Sequence, residues 1–271
     1  KRLALLLTGQ RRHDEAEGVC RKAIVLNPGC ARVRLQLGLV EGSRGRLSAA
    51  EAAYRRALEL DPSSSAALGF LASLLCRRGD LEAAEAAGRE AIERDPGNAQ
   101  AHSTLGVVYR KTGRLHAAVA ASRRATELDP GSATAHINLG VPLRSLDRLS
   151  EAEAAYRRAI ELEPHNAIAH SSLGVALRQQ GRHEEAEASY RCAIDIDPDY
   201  TPAWLNLAIV LQTRGAEGEA QVAYQRALEL DNRELDGPRG RLDDGDGQGV
   251  TLPLPSLVPE SPPSAAASFA A

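Results

Sequence analysis

The chain has 271 residues, with 43% apolar and 3% aromatic content, no Met and one Trp, so its apolar surface is mostly Ala and Leu, which suits close helix packing better than a single deep core. Thirty-three basic residues face 36 acidic ones, and the segment from residue 235 onward, with Arg239 and Arg241 against Asp236, Asp243, Asp244, Asp246 and Glu260, carries the whole net charge. The remaining body is neutral and has no global attraction to nucleic acid or an anionic membrane, and with no run of 18 apolar residues no bilayer span is expected.

Along the chain a single period of 34 residues organises everything up to residue 234. Residues 1–30 form a partial unit, marked by Ala16, Ala23 and the closing pair Asn27 and Pro28. Full units follow at 31–64, 65–98, 99–132, 133–166, 167–200 and 201–234, with Pro62, Pro96, Pro130, Pro164 and Pro198 continuing the Pro28 column. Ala50, Ala84, Ala118, Ala152, Ala186 and Ala220 form a second column, and Ala57, Ala91, Ala125, Ala159, Ala193 and Ala227 a third, seven residues on. Seven residues is two helical turns, so both alanines share a face where a methyl group lets another helix approach closely.

Each unit therefore predicts two helices. The first carries Leu and Gly together, as in Leu105 and Gly106, Leu139 and Gly140, or Leu173 and Gly174. Gly45, Gly79, Gly113, Gly181 and Gly215 break the unit where a left-handed residue ends that helix, with Asp147 as an exception. The second helix runs through stretches such as EAAYRRALEL to the Asp-Pro turn. In the unit at 133, Pro142 falls inside the first helix and Asp147 replaces Gly, which predicts a kinked or shortened helix near residues 141–148. Beyond residue 234 the Gly and Pro density cannot build a core, so residues 235–271 read as a disordered tail, with a P-x-x-P from Pro259 to Pro262.

The columns together, Trp204 or a substitute, Leu-Gly, Gly, Ala, an aromatic, Ala and Pro, resemble the tetratricopeptide repeat. That resemblance implies an all-α, right-handed superhelical solenoid of stacked antiparallel helix pairs, with the first helices lining a concave face. His102, His136 and His170 hold the Trp204 position, which is a packing position in the family. Equivalent residues one unit apart are separated by two helix layers of about 8 to 10 Å, whereas a zinc ion needs donors about 2 Å away. No shared metal is expected. Cys20, Cys30, Cys76 and Cys192 form neither a zinc nor a redox spacing and read as isolated reduced thiols.

Catalytic motifs are missing as well: no nucleophile elbow, no phosphate loop after a strand and no H-E-x-x-H. The chain reads as a non-enzyme that needs no cofactor. Arg21, Arg55, Arg89, Arg123, Arg157 and Arg191 recur with the period, but acids one helical turn away neutralise most of them, so a nucleic-acid rail is not expected. On the first helices the balance differs. Arg110, Arg144 and Arg178 share a column, flanked by Arg77 and Lys111, and no acid stands at helical spacing to offset them. Arg binds carboxylate or phosphate through paired hydrogen bonds, so this stripe predicts an acidic or phosphorylated peptide partner. The same cations also suit helix C-termini, a purely structural alternative.

A second candidate column holds Gln36, Phe70, Thr104, Asn138, Ser172 and Asn206. Similarity to the repeat arms of O-linked N-acetylglucosamine transferases implies that an Asn before Leu-Gly grips a peptide backbone, and only Asn138 and Asn206 match. Chaperone-tail repeats place an Asn where this chain has Val107, Val141, Val175 and Ile209, so terminal-carboxylate capture is not expected. The sequence thus predicts a non-catalytic scaffold that binds an extended protein or peptide segment. The alternative is the substrate-recruiting arm of a larger O-linked glycosyltransferase. No polar capping helix follows the last unit, which leaves an apolar flank exposed, covered by the tail, or buried in another chain, so self-association through that end is a third alternative. A cytoplasmic location is expected, with the proviso that a chain starting at Lys1 can be a fragment without its targeting segment.

Overall fold

The computed structural model describes residues 13–235. The start of the partial unit and the expected disordered tail from residue 236, including its P-x-x-P, lie outside the described residues. Among the described residues there are thirteen helices and no strand. The first is α1 (His13–Leu26), followed by the pairs α2 (Ala31–Ser43) with α3 (Leu47–Leu60), α4 (Ser65–Arg77) with α5 (Leu81–Arg94), and α6 (Ala99–Lys111) with α7 (Leu115–Leu128). Then come α8 (Ala133–Ser145) with α9 (Leu149–Leu162), α10 (Ala167–Gln179) with α11 (His183–Ile196), and α12 (Thr201–Thr213) with α13 (Glu217–Leu235). Each helix packs on the next in chain order, and each hairpin packs on its neighbour, which makes an all-α superhelical solenoid.

Four of the first helices start at a side-chain cap, while those beginning at Ala31 and Thr201 have none. Side-chain oxygens of Ser64, Asn98, Ser132 and Asn166 accept the backbone N–H three residues on, satisfying one of the otherwise orphaned donors of α4, α6, α8 and α10. The turn inside each hairpin needs a left-handed residue. Gly45, Gly79, Gly113, Gly181 and Gly215 supply it with φ between 74° and 82°.

The expected irregularity at 141–148 does not occur. Helix α8 runs unbroken through Pro142 over the same 13-residue length as α6. Asp147 adopts φ 59°, so it makes the same turn as the glycines. The carbonyl of Leu143 accepts the Arg148 N–H at 2.9 Å, just as that of Tyr109 accepts the Arg114 N–H at 2.8 Å. Proline removes only one donor, and its fully buried ring packs where Val108 and Val210 stand in other units. Aspartate tolerates the left-handed region better than most side chains do.

Between hairpins the methyl columns carry the packing. Ala50, Ala84, Ala118, Ala152 and Ala186 are all 0% exposed, and Ala57, Ala91, Ala125, Ala159, Ala193 and Ala227 are buried with them. Within a hairpin, Gly faces Tyr. A methyl group on Gly174 would sit 2.6 Å from the ring of Tyr190, and Gly38 and Gly140 stand equally close to Tyr54 and Tyr156. Where the second helix lacks Tyr, the partner changes: Gly88 receives Leu105 from the next unit, and Ser122 faces Gly106. Helix α6 also closes on α4 more extensively than any other pair of successive first helices do. Asn98 ties them further, its Nδ2 donating to the backbone oxygen of Ser65 at 3.0 Å and to its hydroxyl at 2.7 Å.

Ion pairs link one unit to the next. Glu17, Glu51, Glu85, Glu153 and Glu187 each pair with the arginine four residues on in their own helix. Their other oxygen takes an arginine from the following hairpin turn: Arg44 and Arg46, Arg78, Arg114, Arg182 and Arg214 respectively. For Glu153, burial works against ionisation, but hydrogen bonds from Gln180, Arg157 and Arg182 outweigh it and hold the carboxyl at about 2. Val119 stands where this glutamate would fall in the fourth unit, and the turn arginine there, Arg148, pairs with Glu151 of its own helix instead. At the C-terminal end Leu228 is 37% exposed, whereas its equivalent Ile194 is 8% exposed under the next unit.

Candidate functional site

The three histidines of the 34-residue column take a structural role. His102, His136 and His170 place Nε2 at 3.1, 3.2 and 3.0 Å from the carbonyl oxygens of Pro96, Pro130 and Pro164. Trp204 donates its indole N–H to the carbonyl of Pro198 at 2.9 Å in the same way. One ring N–H thus pins four inter-unit turns to the helices that follow them, and Trp and His serve equally, whereas Arg34 and Leu68 hold the column in the two earlier units. Among the described residues no cluster of His, Cys, Asp or Glu could hold a metal ion, and no helix is long and apolar enough to cross a membrane.

A cleft of about 330 Å³ opens across the first helices α4, α6 and α8, at the small end of the range for ligand pockets. Helix α6 contributes Gln100, Ser103, Thr104 and Val107. These sit at i, i+3, i+4 and i+7, one continuous helical stripe. Ser73, Cys76 and Arg77 close the α4 side, while Thr134, Ala135 and Asn138 close the α8 side together with Asp129 and Ser132 from the preceding turn. Hydroxyl and amide side chains, one cation and one carboxylate thus share its walls with Cys76, Ala99, Val107 and Ala135, and the exposed lining is mixed in polarity.

The candidate residues divide between this cleft and the face beyond it. Thr104, Asn138 and Arg77 line the cleft. Thr104 is 5% exposed and its hydroxyl lies 3.4 Å from the Gln100 amide, while Asn138 donates through Nδ2 to the Ser103 hydroxyl of the previous unit at 3.0 Å. Asn206 donates to the carbonyl of Pro202 in its own helix at 2.9 Å, and Ser172 is half-buried on α10. Both asparagines thus use one amide N–H inside the chain. Arg110, Lys111, Arg144 and Arg178 lie outside the cleft lining, half-buried at the C-terminal ends of α6, α8 and α10. Arg110, Arg144 and Arg178 occupy the column of Cys76, so the unit repeat sets them on the continuation of the face that Cys76 lines.

Two electrostatic features mark this continuation. Arg77, Arg110 and Arg178 make no ion pair among the described residues, in contrast to the paired arginines of the second helices. The Nε–H of Arg178 is also buried without an acceptor, an unmet donor of the kind that buried polar groups normally avoid. The sequence reading missed Gln100, Ser103, Thr134 and Asp129. The stripe on α6 was a signal that could have found the first two, because both lie on the Thr104 face. Asp129 carried no such signal, since the same acid ends other second helices, where it closes local turns through the Ser63, Gly97 and Asp199 N–H groups.

A model of the tetratricopeptide repeat family matches residues 35–99, 103–162 and 137–201, and a second model of that repeat matches 177–237. Among solved structures the chain is similar to MamA, at 26% identity and TM-score 0.54 over 62% of this chain and 98% of that one. A thermophilic tetratricopeptide protein of Thermus thermophilus gives 26% identity and TM-score 0.58 over 68% and 100% of the two chains. The Cut9-Hcn1 structure of the APC/C superimposes with TM-score 0.78 at 16% identity, over 86% of this chain and 46% of that one, and shows the fold alone. No protein of curated function matches the sequence.

Proposed function

Since the chain belongs to the tetratricopeptide repeat family, whose members are generally protein-interaction scaffolds, we propose that it is a non-catalytic scaffold holding an extended acidic or phosphorylated peptide. The peptide lies along the first helices, its backbone meeting the polar stripe of α6 and α8 and its acidic groups meeting Arg110, Arg144 and Arg178. The observation that carries this reading is the contrast in charge pairing. Arginines on the second helices are spent on glutamates, while Arg77, Arg110 and Arg178 on the first helices have no acid partner among the described residues. An array already assembled by its own packing also loses little freedom on binding, which favours many modest contacts.

The glycosyltransferase-arm alternative draws less support, because the asparagine column is incomplete and both of its members donate inside the chain. A fluorescein-labelled decapeptide of alternating Ala and Asp tests the main reading. Binding is expected to weaken at least tenfold with added salt or in the R110E/R144E/R178E variant, and an Ala and Asn decapeptide is expected not to bind. Equal binding by the variant and the unaltered chain would overturn the reading.

A further inference from the structure

The cleft across α4, α6 and α8 holds two charges of opposite sign that the fold leaves unspent. Resting on the peptide-binding reading above, we infer that the cleft selects a segment in which one basic side chain interrupts a run of acids, with the base on Asp129 and an acid on Arg77.

Asp129 departs from the rest of its column, which holds Asp61, Asp95, Glu163 and Asp197 at the ends of the second helices. Asp61, Asp95 and Asp197 accept the N–H two residues on, from Ser63, Gly97 and Asp199 at 3.1, 2.9 and 3.2 Å. Glu163 accepts the side-chain amide of Asn166 at 2.8 Å. The Asp129 carboxylate makes no hydrogen bond or ion pair among the described residues, and it is exposed along the cleft. Its turn is closed without it: the Asp129 carbonyl accepts the Ser132 N–H at 3.2 Å, and the Ser132 hydroxyl caps α8.

Arg77 stands on the other wall, in the last turn of α4, exposed and without an ion pair among the described residues. A guanidinium and a carboxylate that share a cleft without closing on one another set up a field with a direction, cationic on the α4 side and anionic on the α8 side. Gln100, Ser103, Thr104 and Asn138 also line it, and their hydroxyl and amide groups can meet a peptide backbone whatever the charge of its side chains. A uniformly acidic segment satisfies Arg77 but is repelled at Asp129, and a uniformly basic one meets the reverse. A segment carrying both signs in the right order satisfies both walls, so the pair sets which way the peptide lies as well as which peptide is taken. Arg77 takes a carboxylate through two parallel hydrogen bonds, while Asp129 accepts from an ammonium or guanidinium group. At about 330 Å³ the cleft admits a few side chains, which confines the selection to one stretch of a longer acidic segment lying on Arg110 and Arg178.

The test uses the unaltered 271-residue chain, the labelled Ala and Asp decapeptide, and five versions of that peptide that each replace one Asp by Lys, read by fluorescence anisotropy at low salt. The five share one composition and one net charge, so differences among them report position alone. One placement of Lys is expected to bind about fivefold tighter than the all-Asp parent, the scale of a solvent-screened ion pair, although it reduces the net charge that the arginines attract. In D129N that gain disappears, and in D129K the all-Asp parent becomes the tightest of the six. R77Q weakens the favoured peptide about fivefold. Weaker binding by all five Lys peptides, or a gain that persists in D129N, overturns the selection, while loss of parent binding in R110E/R144E/R178E keeps the broader reading standing. A parent peptide indifferent to that triple change overturns both. The comparison of the six peptides needs no variant, so it decides even where a substitution disturbs folding, which helical circular dichroism reports.

Discussion

Replacing Gly174 by Ala should reverse the usual sign of a glycine-to-alanine change in a helix. Alanine in a helix interior normally gains about 1 kcal/mol over glycine, through lower conformational entropy in the unfolded chain. At Gly174 the added methyl would lie 2.6, 2.8 and 2.9 Å from Cε1, Cδ1 and Cζ of Tyr190, against about 3.5 to 4.0 Å for a favourable carbon contact. Tyr190 is 0% exposed, and overpacking at a buried ring costs about 1 to 3 kcal/mol. The net expectation is a loss of up to about 2 kcal/mol by that balance. Gly18 supplies the internal control, since nothing lies within 4 Å of a methyl added there, and G18A should gain most of the propensity term. Urea denaturation at 25 °C followed at 222 nm measures both, with midpoints compared at equal slope. If G174A stabilises as much as G18A does, the close seating of helix on tyrosine is refuted.

Further consequences concern charge and backbone. Because the Glu153 carboxyl titrates at about 2 when folded and near 4.5 when unfolded, its contribution is complete above pH 4.5 and is lost as pH falls toward 2. The gap corresponds to about 3 kcal/mol, reduced to about 2 kcal/mol by solvent around the ion pairs. Acid titration of stability should therefore flatten between pH 4.5 and 2 in E153Q relative to the unaltered protein, and identical profiles would remove the inter-unit pairing as a source of stability. D147G should stabilise by about 0.5 to 1 kcal/mol, because the left-handed φ of 59° costs a non-glycine residue more than glycine; a loss would mean that the aspartate side chain sustains the turn. P142V should gain about 1 to 2 kcal/mol by restoring one helix hydrogen bond while filling the same space, measured by the same urea midpoint, with a loss contradicting the view that the ring merely substitutes for Val.

Much of the fold was legible because a 34-residue period turns each local choice into a column. Ala50 alone says little. Ala at six further equivalent positions says that a helix passes close by, and the structure buries them. The turn glycines were equally readable from their conformational demand, whereas the regular helix through Pro142 was not, because a sequence reports the missing N–H but not the packing around its ring. The dual pairing of Glu153 with Arg157 and Arg182 was only half visible. Its i, i+4 half is local, but the other half spans 29 residues and exists only once hairpins are stacked. The cleft shows the same limit. Thr104 and Asn138 were found by column, while Asp129 enters from a turn whose equivalents close local hydrogen bonds elsewhere.

Hydrogen exchange of the unaltered chain, with and without a saturating Ala and Asp decapeptide, addresses the central claim most directly. The account predicts slowed exchange confined to α6, α8 and α10, over Ala99–Lys111, Ala133–Ser145 and Ala167–Gln179, with α7, α9 and α11 unchanged. Protection on those second helices instead, or on neither set despite measurable binding, would contradict it.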